Sequence, residues 1–335
     1  MKKSKLSLLL IMPLTLILLF TSCNNSDMTK VTVAEVTHSV FYAPQYVAIE
    51  AGFFEEEGIE IDLLLTQGAD KTMAALLSNE AQVGFMGPES SIYVYNQGSK
   101  DYAINFAQVT KRDGNFLLSR EKIDNFSLDQ LAGKVVIGGR KGGMPEMTLE
   151  YVLKTSGLTL GEDIASGQTN VRTDIQFAAM GGAFVGGEGD FVTLFEPTAT
   201  QIEQAGNGYI VASMGQISGE IPYTAYSALA SYLEKHPDII QKFTNAVYKG
   251  QQYVATHSAE EIAKIIAPQF KEINEADLIT VIQRYKDNDT WCTEPLLKEE
   301  SLNHLMDVME MAGELEARPP YHEIVTTVFA ENAVK

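Results

Sequence analysis

The chain has 335 residues, 45% of them hydrophobic, with 25 Lys and Arg against 44 Asp and Glu and a formal net charge of −19 at pH 7. That acidity excludes nucleic acid as a partner and an electrostatic grip on anionic lipid, because both need a basic face. The single long apolar run lies at the N terminus, which excludes a polytopic membrane protein and leaves a globular chain long enough for two lobes.

Lys2, Lys3 and Lys5 precede an apolar run from Leu6 to Phe20, and Thr21, Ser22 and Cys23 close it. This is the pattern of a secretory signal over residues 1–22 ending in a lipobox-like sequence. It predicts lipidation at Cys23, a polar tether over 23–29, and an extracytoplasmic domain anchored to the outer face of the membrane. The signal carries three Lys and no acid, so its removal leaves 22 basic and 44 acidic residues, a charge of −22. Cys23 and Cys292 are the two cysteines. A lipidated Cys23 leaves Cys292 as a lone thiol, expected as a small buried apolar side chain. The five His make no HxxxH or HExxH pair and no CxxC occurs, so no metal or other cofactor is expected.

From residue 30 the sequence alternates between strand-like and helix-like segments. The β-branched run 30–37 reads as a strand. Residues 44–57 read as a helix closed by Gly58. A strand over 59–65, a helix over 70–79 and a strand over 81–86 follow, then a helix over 89–97 and strands over 102–110 and 115–119. A second block begins with a strand over 134–139 and a Pro-started helix over 145–154. It continues with a strand over 190–195, a helix over 198–204, and strands over 208–213 and 222–229. Five glycines among residues 177–189 make a poor isolated helix. The remainder reads as helices over 237–256, 259–268, 275–286, 298–311 and 321–329. The predicted fold is α/β, with mostly parallel sheets covered by helices.

In open α/β sheets ligands bind beyond the carboxyl ends of the strands, so the strand-to-helix corners are the candidate site. The first corner offers His38, Ser39, Phe41 and Tyr42, and the second Gln67 and Gly68. At the third, Gly87 lets the backbone approach a ligand, while Glu89 and Ser90 begin a helix whose free N–H groups suit a polar group. The run from Gly138 to Pro145 is Gly-rich but lacks both phosphate-loop registers. It makes a second wall with Gly142, Gly143 and Met144, facing the third corner across a cleft. Glu196, at the end of the strand over 190–195, either caps the helix that follows or accepts hydrogen bonds from a ligand amine or ring N–H. Gln176, Phe177 and Met180 are also placed toward the cleft, and Tyr223 on the strand that returns.

The run from Tyr46 to Ile59, YVAIEAGFFEEEGI, resembles the x-Ala-x-Glu-x-Gly-[Phe/Tyr]-Phe-x-x-x-Gly-[Leu/Ile] signature of the nitrate, sulfonate, taurine and thiamine-pyrimidine-precursor substrate-binding proteins. Residues 74–88, the LAGKVVIG run at 131–138 and Phe195-Glu196-Pro197 resemble further segments of that family, in the right order. Glu80 and Gln82 stand where the family often has Gly and Asp, and Phe195 where it has Trp. The resemblance implies a two-lobed periplasmic-binding-protein (type II) fold: residues 30–115 and 225–335 form one lobe, 116–224 the other. Two crossovers, near 108–115 and 220–225, would let the lobes hinge shut on a small-molecule solute. It also implies partners, an ABC permease and its ATPase, and a monomer that is not an enzyme. No GxSxG elbow or Cys cluster argues otherwise.

Two readings of the solute stay open. Helix N-termini with Arg112, Arg140 and Lys141 favour an anion, such as an aliphatic sulfonate, taurine or nitrate. Glu89, Glu196, Phe41, Tyr42 and Tyr223 favour a heteroaromatic or amine-bearing solute, such as a thiamine-pyrimidine precursor, and this is the expected class. The choice turns on Glu196, because an anion would not tolerate an unpaired carboxylate in a dry cleft. A ligand sensor on the same fold is the remaining alternative.

Overall fold

The structure is a computed structural model, and it describes residues 28–335. The signal segment and Cys23 lie outside the described residues. Ten strands follow in chain order: β1 (Thr29–Glu35), β2 (Ile59–Leu65), β3 (Val83–Met86), β4 (Ala103–Thr110), β5 (Asn115–Ser119), β6 (Val135–Ile137), β7 (Asn170–Arg172), β8 (Phe191–Phe195), β9 (Tyr209–Ser213) and β10 (Thr224–Leu229). They form two five-stranded sheets, ordered β2-β1-β3-β10-β4 and β7-β6-β8-β5-β9.

The sheets are mixed and, as expected, mostly parallel. Four strands of each run in one direction and one runs against them: β10 pairs antiparallel with β3 and β4, and β5 with β8 and β9. The antiparallel members are the strands that enter each sheet from the crossovers. The chain leaves β4 for β5 through residues 111–114 and returns into β10 through 219–223. The central strands β3 and β10 are buried along their whole length, as expected of strands covered on both faces.

The helix expected over 44–57 is two helices, Ala43–Glu50 and Phe53–Glu56. Gly52 between them has φ +76°, a left-handed conformation that glycine adopts without a Cβ clash and that ends the first helix. The Gly-rich stretch carries a short helix, Met180–Val185. The helix expected over 321–329 is split into Tyr321–Ile324 and Val328–Ala333, because Val325 bridges to Asn105 beside β4.

The long helix Pro237–Thr256 lies on Ala43–Glu50 at Gly250, where a Cβ would run into the Pro44 carbonyl and the Ala48 side chain. Beyond it the chain reaches the second sheet's lobe on two sides. From Glu275–Asp287, Tyr285 donates to the Gly114 carbonyl at 3.2 Å. Helix Glu299–Ala312 packs on helix Met144–Thr155. Among the described residues no helix is long and apolar enough to cross a membrane. Cys292 is buried, and burial pushes its thiol up to about 12.

Candidate functional site

The carboxyl ends of β1, β3 and β8 and the Gly-rich loop after β6 converge between the sheets, where two adjoining chambers open. The inner one, of about 80 Å³, is reached by Tyr42, Gly87, Glu89, Gly143, Met144 and Tyr223. The outer one, of about 500 Å³, is reached by His38, Ser39, Gln67 and Glu196. Ser90 and Gly142 line neither chamber.

The inner chamber is an aromatic box with one carboxylate. The Phe41 ring lies 5.1 Å from Phe195 and 5.7 Å, edge on, from Tyr223. Phe177 stands 5.7 Å from Phe195 and closes the side toward the outer chamber. Tyr42 is held against Phe85 at 4.3 Å. Glu89 opens helix Glu89–Asn96, whose N-cap is Pro88, so no capping side chain competes for the first N–H groups. Its carboxylate lies over Gly87: a Cβ there would run into Glu89 Oε2 and come within 2.7 Å of Met144 Cγ. Glu89 is 1% exposed. Ser90 donates to Oε1 at 3.4 Å, whereas Oε2 has no hydrogen-bond partner among the described residues. Burial pushes the carboxyl up to about 7, against the pull of the Glu89 and Ser90 N–H groups and of Arg140. A buried oxygen left without a donor is costly unless something supplies one.

The crossovers meet on the wall of this chamber. Asp113 Oδ1 accepts from the Asn115 backbone and side-chain nitrogens, both at 2.7 Å, and Asn115 Nδ2 donates to the Tyr223 hydroxyl at 3.1 Å. Burial pushes the Asp113 carboxyl up to about 7 as well, against the pull of the Asn115 and Tyr223 hydrogen bonds. Asp113-Gly114-Asn115 is a polar trio between apolar strands, and that contrast was the signal available in the sequence. Thr224 and Gly139, which also line the chamber, carry no comparable signal.

Several expected ligand contacts have other partners. The Glu196 carboxylate accepts from the Thr200 nitrogen at 2.9 Å, the Thr200 hydroxyl at 2.8 Å and Arg284 at 2.9 Å. It caps its helix and pairs with a cation brought in by helix Glu275–Asp287, so its charge is already balanced within the protein. His38 is bound on both ring nitrogens, to Glu35 at 3.0 Å and the Gln269 carbonyl at 2.9 Å, and the Glu35 contact raises its pKa. Ser39 Oγ donates across the cleft to the Glu196 carbonyl at 2.7 Å. Ser90 serves Glu89 and not the chamber. Gly142 donates to Glu146 and accepts from Tyr93 at 3.0 Å, so it joins the lobes. Lys141 is held by Glu146, Glu150 and Glu314. Arg140 lines the inner chamber and stands 3.8 Å from Asp70.

A family model described as the NMT1-like family matches residues 25–267. A Bacillus subtilis (strain 168) protein described as "Putative binding protein YtlA" is 46% identical over 311 residues, which is 92% of each chain. Two solved structures share the fold. The periplasmic nitrate-binding protein NrtA from Synechocystis PCC 6803 superposes with a TM-score of 0.72 at 17% identity, over 92% of this chain and 89% of that one. The alkanesulfonate-binding protein SsuA from Xanthomonas axonopodis pv. citri, bound to MOPS, gives 0.70 at 14% identity, over 90% and 99%.

Proposed function

The chain belongs to the NMT1-like family, and from that premise we propose that it is the solute-binding protein of an ABC importer, whose lobes close on a small amine-bearing or aminopyrimidine-like solute. The observation that carries the solute class is Glu89 Oε2, buried in an aromatic box without a donor. An N–H of the solute would satisfy it, and the packed rings of Phe41, Phe195 and Tyr223 would wall one side of a flat body. The lobes are residues 30–115 with 225–335, and 116–224. Closure would follow from contacts the solute makes to both of them: Glu89 and Tyr42 on one, Met144 and Phe195 on the other. The loaded monomer, tethered outside the cytoplasm through Cys23, would pass its solute to a permease driven by an ATPase.

The capped Glu196 removes one objection to an anion, and Arg140 at the inner chamber is the observation that favours one. Glu89 restores the objection, because an anion there would face a carboxylate it cannot pair with. The test is a thermal-shift screen of residues 24–335 against aminopyrimidines, amines, alkylsulfonates, taurine and nitrate, repeated on Glu89→Gln. A ligand that binds only the folded state raises the melting temperature. Stabilisation by aminopyrimidines or amines that is lost in Glu89→Gln supports the proposal. Stabilisation by sulfonates or nitrate that survives in Glu89→Gln overturns the solute class and keeps the importer.

A further inference from the structure

We propose that the outer chamber is a second, apolar subsite of the same cleft, which takes an uncharged hydrocarbon ring or chain carried by the solute whose N–H end sits at Glu89. The head-group half of this rests on the proposed function above; the subsite itself does not.

Four observations carry it. The chambers adjoin, with Val36, Thr37, Phe177 and Phe195 lining both. Their sizes are unequal: about 80 Å³ admits little beyond a compact head, whereas about 500 Å³ lies directly outside it. Three polar side chains around the outer chamber are already engaged with protein. His38 is held by Glu35 and Gln269, Ser39 by the Glu196 carbonyl, and the Glu196 carboxylate by Thr200 and Arg284. Beside Thr37, Gln67 and Thr198, what remains is mostly hydrocarbon from both lobes: Leu65 at the end of β2 and Val185 on helix Met180–Val185, each 46% exposed, with Met180, Leu194 and Ile202 behind them. Exposed aliphatic side chains on opposite walls of one cleft mark a surface that an apolar group covers. Gly182 keeps the wall low, since nothing lies within 4 Å of a Cβ placed there. A charged tail would find no free counter-charge on these walls, and a compact anion such as nitrate would leave them bare.

Two probes test the subsite and the head separately. Hexafluorobenzene, which has no N–H, is titrated into the soluble domain and followed by fluorine NMR. The subsite predicts saturable binding that weakens at least about tenfold in Leu65→Lys and in Val185→Lys. Both residues are exposed, and circular dichroism checks that the variants fold. Equal binding in all three proteins, or no saturable binding, overturns the subsite. Calorimetry then compares 4-aminopyrimidine with 5-benzyl-4-aminopyrimidine. A benzyl gain of about tenfold or more, lost in Val185→Lys, supports a single bipartite ligand. No gain overturns it. If hexafluorobenzene binds as expected and neither aminopyrimidine binds, the subsite stands and the amine reading of the head falls.

Discussion

Acidification from pH 8 to pH 5 should weaken 4-aminopyrimidine binding by about 100-fold through Glu89 alone, equivalent to about 2.7 kcal/mol. The acceptor for the probe's N–H is the ionised carboxylate, and burial has pushed this group up to about 7. At pH 8 it is mostly ionised, while at pH 5 about one molecule in a hundred is. A donor-bearing ligand therefore binds better as the pH rises through 7 and levels off above it. An anion needs the protonated acid, which can donate to it, so its affinity runs the other way. Titration of the probe itself also contributes. Calorimetry at each half pH unit on wild type and on Glu89→Gln removes it, because the ratio of the two affinities isolates Glu89. A ratio that is flat with pH, or that favours wild type only below pH 7, refutes the reasoning.

The same raised pKa links Glu89 to stability. The folded state holds this proton more tightly than the unfolded chain, so the stability this group contributes is full below about pH 4.5 and falls as pH rises through 7. Glu89→Gln should thus gain up to about 3 kcal/mol over wild type in urea unfolding at pH 8, and nothing at pH 4. Arg284→Ala strands the buried Glu196 carboxylate and should lose about 3 kcal/mol in the same assay; the double variant Glu196→Gln with Arg284→Met should recover most of it. Gly87→Ala places a Cβ against Glu89 and Met144 and should reduce aminopyrimidine affinity at least about tenfold by calorimetry while circular dichroism stays unchanged. Cys292, buried with its thiol at about 12, should resist a disulfide reagent in the native protein and react in urea.

The alternation of strands and helices was legible from residue 30 onward because each element carries its own hydrophobic period and its own stop. Two breaks were less legible. Gly52 stands inside a run of otherwise good helix formers, and its left-handed φ shows only once the chain turns there. Val325 leaves the helical pattern because edge strand β4 offers it Asn105 as a partner, a contact 220 residues away in sequence. The mixed sheets have the same kind of cause: β5 and β10 read as ordinary strands, and their direction is set by which sheet each one joins.

Glu89 and Glu196 show where the sequence stops being informative about the site. Both lie where a strand gives way to a helix, and their local patterns are alike. Local chemistry determined that corners rich in Gly, aromatic rings and carboxylates would line a cleft, because helix starts and strand ends carry their signals within a few residues. It could not determine which carboxylate is free. Arg284 and Thr200 occupy Glu196, and Arg284 arrives from 88 residues away. Gly87 and the aromatic box bury Glu89 with one oxygen unpaired. Hydrogen-bond satisfaction is a property of assembled neighbours, and only the packed tertiary structure decides it.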